Sequence, residues 1–193
     1  FVTSKLRTKA MGHNCALRGV EQSLKDLQID QLDLMLIHWP TPAHDQYVET
    51  WRGLIAAWDH GLVRSIGVSN FTEAQLERLI GETGIVPVVN QIETHPHFQQ
   101  KEMVPYLAGR GIRHEAYSPL GSGAVLDDPV IGEIAAAFGK SPAQIIIRWH
   151  LQRGSIVIPK SETPERIREN FDVFGFTLSD GEMGRISGLD DAE

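Results

Sequence analysis

The sequence predicts an α/β protein made of repeated strand–helix units, a (β/α)8 TIM-type barrel that is incomplete, with about six of the eight units present. Three observations predict this. Short apolar runs alternate with helical patterns along the whole chain. Several of the runs, such as Leu34-Met35-Leu36-Ile37, are continuously hydrophobic, and each run ends in polar residues able to do chemistry. A continuous apolar run fits a strand buried on both faces, as in a parallel sheet covered by helices. A barrel gathers the C-terminal ends of its strands on one rim, whereas an open sheet would spread six reactive tips too widely for one small site.

Strands are expected over residues 1–6, 32–39, 64–70, 87–93, 112–118 and 155–161. Between them, helix starts are legible. Thr72-Glu73-Ala74-Gln75 and Ser141-Pro142-Ala143-Gln144 read as capping boxes, the second with proline at the first helical position, where its missing N–H costs nothing. Thr163-Pro164-Glu165-Arg166 offers the same threonine–proline opening. Gly61 and Gly111 stand where a helix should end before the next strand. Two helices, near 129–138 and 142–153, fit before the last strand, and 179–189 reads as one more capped helix.

No low-complexity linker or shift in composition divides the 193 residues, so 1–193 is expected to form a single domain. A complete barrel usually needs about 250 residues. Residues 1–6 already read as a strand, so the chain reads as a fragment of a barrel. The net charge of −7 argues against nucleic-acid and anionic-membrane partners, which need a basic face. The single cysteine, Cys15, excludes an internal disulfide and fits a reducing, cytoplasmic setting. No apolar run reaches the ~18 residues that suggest a membrane span.

The polar strand ends are, in order, Lys5; His38; Ser69 and Asn70; Gln91; Tyr117 and Ser118; and Lys160 and Ser161. Each alone is better explained as a solvated lysine, a packed loop histidine or a turn-forming asparagine. All six tips sharing the pattern is the informative fact.

These stretches carry a resemblance. Phe1-Val2-Thr3-Ser4-Lys5-Leu6, Leu36-Ile37-His38-Trp39-Pro40, Ile66-Gly67-Val68-Ser69-Asn70-Phe71, Asn90-Gln91-Ile92-Glu93, Ala116-Tyr117-Ser118-Pro119-Leu120-Gly121 and Ile158-Pro159-Lys160-Ser161 resemble the successive strand-end motifs of aldo-keto reductases. Arg148-Trp149-His150-Leu151-Gln152 and Trp39-Pro40-Thr41-Pro42 are most similar to the bacterial 2,5-diketo-D-gluconate reductase branch. The resemblance implies NADPH-dependent reduction of an aldehyde or ketone, including keto-sugar acids such as 2,5-diketo-D-gluconate, by a monomer acting on a small-molecule carbonyl. By the same resemblance, Lys5 lowers the pKa of a proton-donating tyrosine, and His38 orients the substrate carbonyl. Ser69, Asn70 and Gln91 hydrogen-bond the nicotinamide carboxamide, and Tyr117 stacks on the nicotinamide ring. Ser118, Leu120 and Ser122 contact the pyrophosphate side. Lys160, Ser161, Arg166 and Asn170 receive the adenosine 2′-phosphate and adenine, with Glu169 beside them, and Trp39 lines the substrate pocket.

Two physical arguments agree. Lys160 and Ser161 directly precede a helix start at Thr163, whose amides and dipole favour a phosphate. Arg166 and Asn170, four apart, share one face of that helix, and an arginine fork suits a phosphate, favouring NADPH over NADH. The competing account is a surface ion pair of Arg166 with Glu162 or Glu169. Secondly, negative charge develops on a carbonyl oxygen during reduction; a neutral histidine N–H and a nearby acid stabilise it, and a lysine close to a tyrosine pulls the phenol pKa down from about 10.

The chain also departs from the family. The family's acid, a tyrosine after the second strand, and its lysine-pairing aspartate are not matched by Tyr47, Tyr106 or Tyr117; the matching segment would precede Phe1. Arg7 stands where a tryptophan is frequent, and the tail ends before the family's arginine-containing stretch. Open parallel edges are expected at residues 1–6 and 155–161, with aggregation and weak or no activity in the chain alone. Two other functions are consistent with the residues: an NADPH-binding sensor or scaffold without turnover, and a barrel enzyme in which Lys5 forms a Schiff base. His95-Pro96-His97 lacks a third ligand at a sensible spacing, so no metal is expected.

Overall fold

The computed structural model describes residues 1–191. Six strands alternate with helices: β1 (Thr3–Leu6), α1 (His13–Leu27), β2 (Leu34–Ile37), α2 (Tyr47–Asp59), β3 (Ile66–Ser69), α3 (Glu73–Thr83), β4 (Val89–Glu93), α4 (Met103–Gly109), β5 (Arg113–Tyr117), α5 (Pro129–Phe138), α6 (Pro142–Gln152), β6 (Ile156–Val157), α7 (Pro164–Phe171) and α8 (Asp180–Ser187). The class is the expected α/β, with β1–β2, β2–β3, β3–β4 and β5–β6 paired in parallel and six βα units of an incomplete (β/α)8 type. Every expected strand is present, each shorter than its apolar run. The last is the most reduced: Ile156–Val157 against an expected 155–161. Pro159 has no N–H to extend the ladder there.

The chain divides into two compact units. The first comprises Phe1–Gln91 with Pro105–Arg113. Its strands pair in chain order: Lys5 with Leu36 and Leu6 with Ile37, Ile37 with Val68, and Ser69 with Gln91. Leu34, Leu36 and Val89 form a buried cluster on one face. Gly67 is required there: a Cβ would meet Val89 Cγ1 at 2.6 Å and Leu36 Cδ2 at 2.8 Å. Gly53 lets α2 approach α1 in the same way, since its Cβ would lie 2.5 Å from the His13 carbonyl oxygen. The helices bury Ala16 and Val20 of α1 and Trp51 and Leu54 of α2 completely, each large apolar side chain contributing about 1.5–3 kcal/mol. Phe1 and Val2, just before β1, are exposed.

The second unit comprises Ile92–Val104 and the chain from His114 onward. β5 and β6 pair through Glu115 with Ile156 and Ala116 with Val157. Ile131, Ile134, Ile145, Ile146, Trp149 and Ile186 bring α5, α6 and α8 into one core. The expected starts are borne out for α3 and α6, where both halves of each capping box form, and α8 gains a third box from Ser179 and Glu182. Thr163 stands at the N-cap of α7, but its side chain makes no capping hydrogen bond. Gly61 and Gly111 adopt left-handed φ of 73° and 71°, as helix-ending glycines do. Half-exposed Ile156, with Phe171 and Phe174, borders an apolar groove of about 600 Å³ beside β6.

The interior of this unit holds two neutral histidines. His114 has ring nitrogens 2.9 Å from Thr94 Oγ1 and 2.8 Å from Ser155 Oγ. Burial, and then the Arg153 charge, push its pKa down to about 4. Fully buried His150 is pushed down to about 3 by burial first and then Arg153. No single helix among the described residues is long and apolar enough to cross a membrane.

Candidate active site

In the first unit the parallel register decides which side chains meet. Lys5 is level with Leu36, and His38 lies two residues beyond Leu36. His38 lies just past the end of β2, on the chain adjacent to the end of β1 that carries Lys5. They are close enough that the Lys5 charge, after burial, helps lower the His38 pKa. Both causes favour neutral imidazole, which can donate one N–H while its other nitrogen accepts. Trp39 follows, 45% exposed, its ring 6.3 Å from the His38 ring.

The next two tips are joined by hydrogen bonds. Ser69 Oγ donates to the Gln91 carbonyl at 2.8 Å, and the Asn70 backbone N–H donates to the same oxygen at 3.0 Å. Asn70 Nδ2 donates to the His38 carbonyl and to Ser69 Oγ, both at 3.1 Å. Ser69 and Gln91 are buried. Thus Lys5, His38, Trp39, Ser69, Asn70 and Gln91, read separately from the sequence, lie together at neighbouring strand ends.

In the second unit a cleft of about 580 Å³ is walled by Leu120, Lys160, Ser161, Arg166, Glu169 and Asn170. All six are expected site residues. Lys160 pairs with Glu162 at 2.6 Å, both side chains 82% exposed. The ion pair expected as the competing account of Arg166 is therefore made by Lys160, and Arg166 has no ion pair among the described residues. Ser161 Oγ accepts the Thr163 N–H at 3.2 Å, turning the chain into α7. Donors of this kind, beside the start of α7, fit a phosphate dianion.

Tyr117 ends β5, half-buried, and burial followed by the Glu93 carboxylate raises its phenol pKa. Such a phenol stays neutral and presents a flat aromatic face. Ser118 and Ser122 occupy left-handed backbone at φ 47° and 54° on the connection to α5. Neither lines the cleft that Leu120 reaches. Sequence reading missed Leu126, Asp127, Ser141, Pro142 and Ala143, which also line it. The last three had been seen only as a helix start, and Leu126-Asp127 gave no signal beyond following a glycine-rich turn.

The other tyrosines are engaged elsewhere. Tyr106 donates to Glu77 Oε1 at 2.7 Å, its pKa pushed up to about 12 by burial and that carboxylate. Tyr47 receives Arg78 Nη1 at 3.4 Å. His95 pairs its backbone with Phe98, and His97 Nε2 lies 3.0 Å from Asp128 Oδ2, so these two histidines serve a turn.

Residues 1–191 match the model of the aldo/keto reductase family. The chain is 50% identical over 192 residues to methylglyoxal reductase DkgA of Escherichia coli (strain K12), covering 98% of this chain and 69% of that one. It is 53% identical to the methylglyoxal reductase DkgA of Salmonella typhimurium, with the same coverage. Among solved structures, the apo form of Gox0644 superposes with a TM-score of 0.97 at 51% identity, covering 98% of this chain and 70% of that one. A mutant of Gox0644 solved in complex with NADPH gives the same values. An aldo/keto reductase from Brucella melitensis gives 0.94 at 51%, covering 98% and 73%. The chain is a member of the aldo/keto reductase family.

Proposed function

We propose that this chain belongs to an NADPH-dependent reductase of small aldehydes or ketones, with 2-oxoaldehydes such as methylglyoxal as the first substrate class and keto-sugar acids as the second. The observation that carries the reading is the closeness of Lys5 and His38 at adjacent strand ends, near enough for the lysine charge to act on the imidazole. The identity to two methylglyoxal reductases supports the substrate class.

The second unit's cleft fits the cofactor's adenosine end. Lys160 and Arg166 would meet the 2′-phosphate, Ser161 would hydrogen-bond it, and Asn170 and Glu169 would flank the adenine. Leu120, Ser118 and Ser122 would face the pyrophosphate. In the first unit Ser69, Asn70 and Gln91 would suit a carboxamide, and in the second Tyr117 offers an aromatic face of the kind that stacks on a nicotinamide ring. Bound there, the nicotinamide supplies the hydride.

His38 acts on the carbonyl. Its lowered pKa keeps the imidazole neutral near pH 7, so an N–H donates to the oxygen where negative charge grows. The Lys5 ammonium adds a positive field at the same place, and Trp39 forms an apolar wall for the substrate. Hydride transfer leaves an alkoxide that takes its proton from solvent water in this scheme, because Tyr47, Tyr106 and Tyr117 do not supply it. Their hydroxyls answer to Arg78, Glu77 and a raised pKa respectively. We read residues 1–193 as one barrel domain that works as a monomer.

The test uses NADPH dideuterated at nicotinamide C4, methylglyoxal and the whole chain, with mass spectrometry of the product. Deuterium on the carbon that was the carbonyl supports the reading. Quenching of NADPH fluorescence without label transfer would replace it by the sensor reading. Borohydride trapping of substrate on Lys5 would replace it by Schiff-base chemistry.

A further inference from the structure

His38 is the first residue beyond the last β2–β3 ladder pair, Ile37 with Val68. Its peptide is therefore not fixed by the strand. What reaches it is Asn70, whose Nδ2 donates to the His38 carbonyl at 3.1 Å. The same Nδ2 donates to Ser69 Oγ at 3.1 Å, Ser69 Oγ donates to the Gln91 carbonyl at 2.8 Å, and the Asn70 N–H donates to that carbonyl at 3.0 Å. One asparagine thereby ties the end of β2 to the ends of β3 and β4.

The residue type follows from two demands made at once. Asn70 has φ 63°, in the left-handed region. Glycine, asparagine and aspartate enter that region most readily. Of the three, only asparagine carries a side-chain N–H donor. A turn alone would be satisfied by any of them; a turn that must also hold the neighbouring carbonyl requires asparagine.

We propose that Asn70 is a positioning residue for His38: it holds the peptide that carries the imidazole, in addition to any contact it makes with the cofactor. This rests on the carbonyl-reduction reading for its catalytic consequence, though not for its structural one. Misplacing a catalytic group by about 1 Å can cost about 100-fold in rate, so the bond matters out of proportion to its strength.

Asn70→Gly keeps the left-handed backbone and removes the donor; Asn70→Asp keeps the shape and also removes the donor. The experiment is a double-mutant cycle with His38→Ala, reading kcat at saturating NADPH together with the NADPH Kd. Asn70→Gly should lower kcat by about 10-fold with His38 present and by less than about 2-fold with His38 replaced. Equal losses in both backgrounds, or a loss confined to the Kd, would overturn the proposal. A second reading needs no turnover: the His38 ring is titrated by NMR. In Asn70→Gly, which adds no charge, the midpoint should move up toward the ordinary histidine value as the ring becomes more hydrated; an unchanged midpoint would overturn it. If the unmodified chain transfers no hydride, in line with the weak or absent activity expected of it alone, the NMR titration still decides whether Asn70 holds His38.

Discussion

At the strand ends of the first unit, Ser69 and Gln91 are each 1% exposed, and Ser69 and Asn70 form a continuous set of hydrogen bonds with neighbouring carbonyls. Around the cleft of the second unit, Lys160 and Glu162 are each 82% exposed and hold one another across a solvated ion pair. On the proposed reading the difference separates two tasks. Groups that would hold the nicotinamide end of the cofactor gain from burial, because fixed dipoles in a low-dielectric setting act without reorganising. Groups that only need to attract a phosphate can stay in water, with weak, exchangeable partners, because a charge-assisted fork onto phosphate outcompetes an exposed ion pair.

His38→Ala should show the largest effect. Losing the N–H aimed at the carbonyl oxygen should lower kcat/KM by about 100- to 1000-fold, read by NADPH oxidation, while the urea midpoint changes little. A loss under 5-fold would break the contrast, because the fixed tips would then be doing no more than the solvated cleft. The next test shows that burial, rather than membership of either unit, sets the behaviour. His114 lies in the second unit with a pKa lowered to about 4. A depressed histidine stabilises the fold fully above its unfolded pKa near 6.5, and that stability is lost as pH falls through 4. Urea unfolding at pH 7 and pH 4 should differ by on the order of 3 kcal/mol from this group, with His150 adding in the same direction, and His114→Gln should flatten the fall.

Ser141 lines the cleft yet also caps α6, accepting the Gln144 N–H. Ser141→Ala should cost about 1 kcal/mol of stability, seen in the denaturant midpoint, and leave NADPH affinity within about 2-fold. Smallest of all should be Glu162→Gln. Breaking an exposed pair with Lys160 should change stability by less than about 0.5 kcal/mol and tighten NADPH binding slightly, measurable by isothermal titration.

Much of this was legible in the sequence because the signals were local. The α3 and α6 capping boxes, the six apolar runs and the polar residues closing them are statements about neighbours in the chain, and neighbours obey propensity and periodicity. What resisted reading depends on residues far apart. Strand lengths are set by ladder partners, so the 155–161 run kept only Ile156–Val157 as strand. The Lys160–Glu162 pair was not foreseen because Glu162 could have served Arg166 equally well by spacing, and only rotamers decide between them. Leu126 and Asp127 reach the cleft through the turn at Gly121–Gly123, whose left-handed angles at Ser122 no short motif announces. The link from Asn70 to His38 spans 32 positions and joins a side chain to a backbone oxygen, a pairing with no sequence signature.

The division of labour meets its sharpest test in a pair of NADPH titrations by fluorescence quenching, one on Arg166→Ala and one on His38→Ala. The expected outcome is a Kd raised about 10- to 100-fold in Arg166→Ala, the loss of a charge-assisted phosphate contact, and a Kd within about 2-fold of the unmodified chain in His38→Ala. An unchanged Kd in Arg166→Ala, or an equal rise in both, would contradict it.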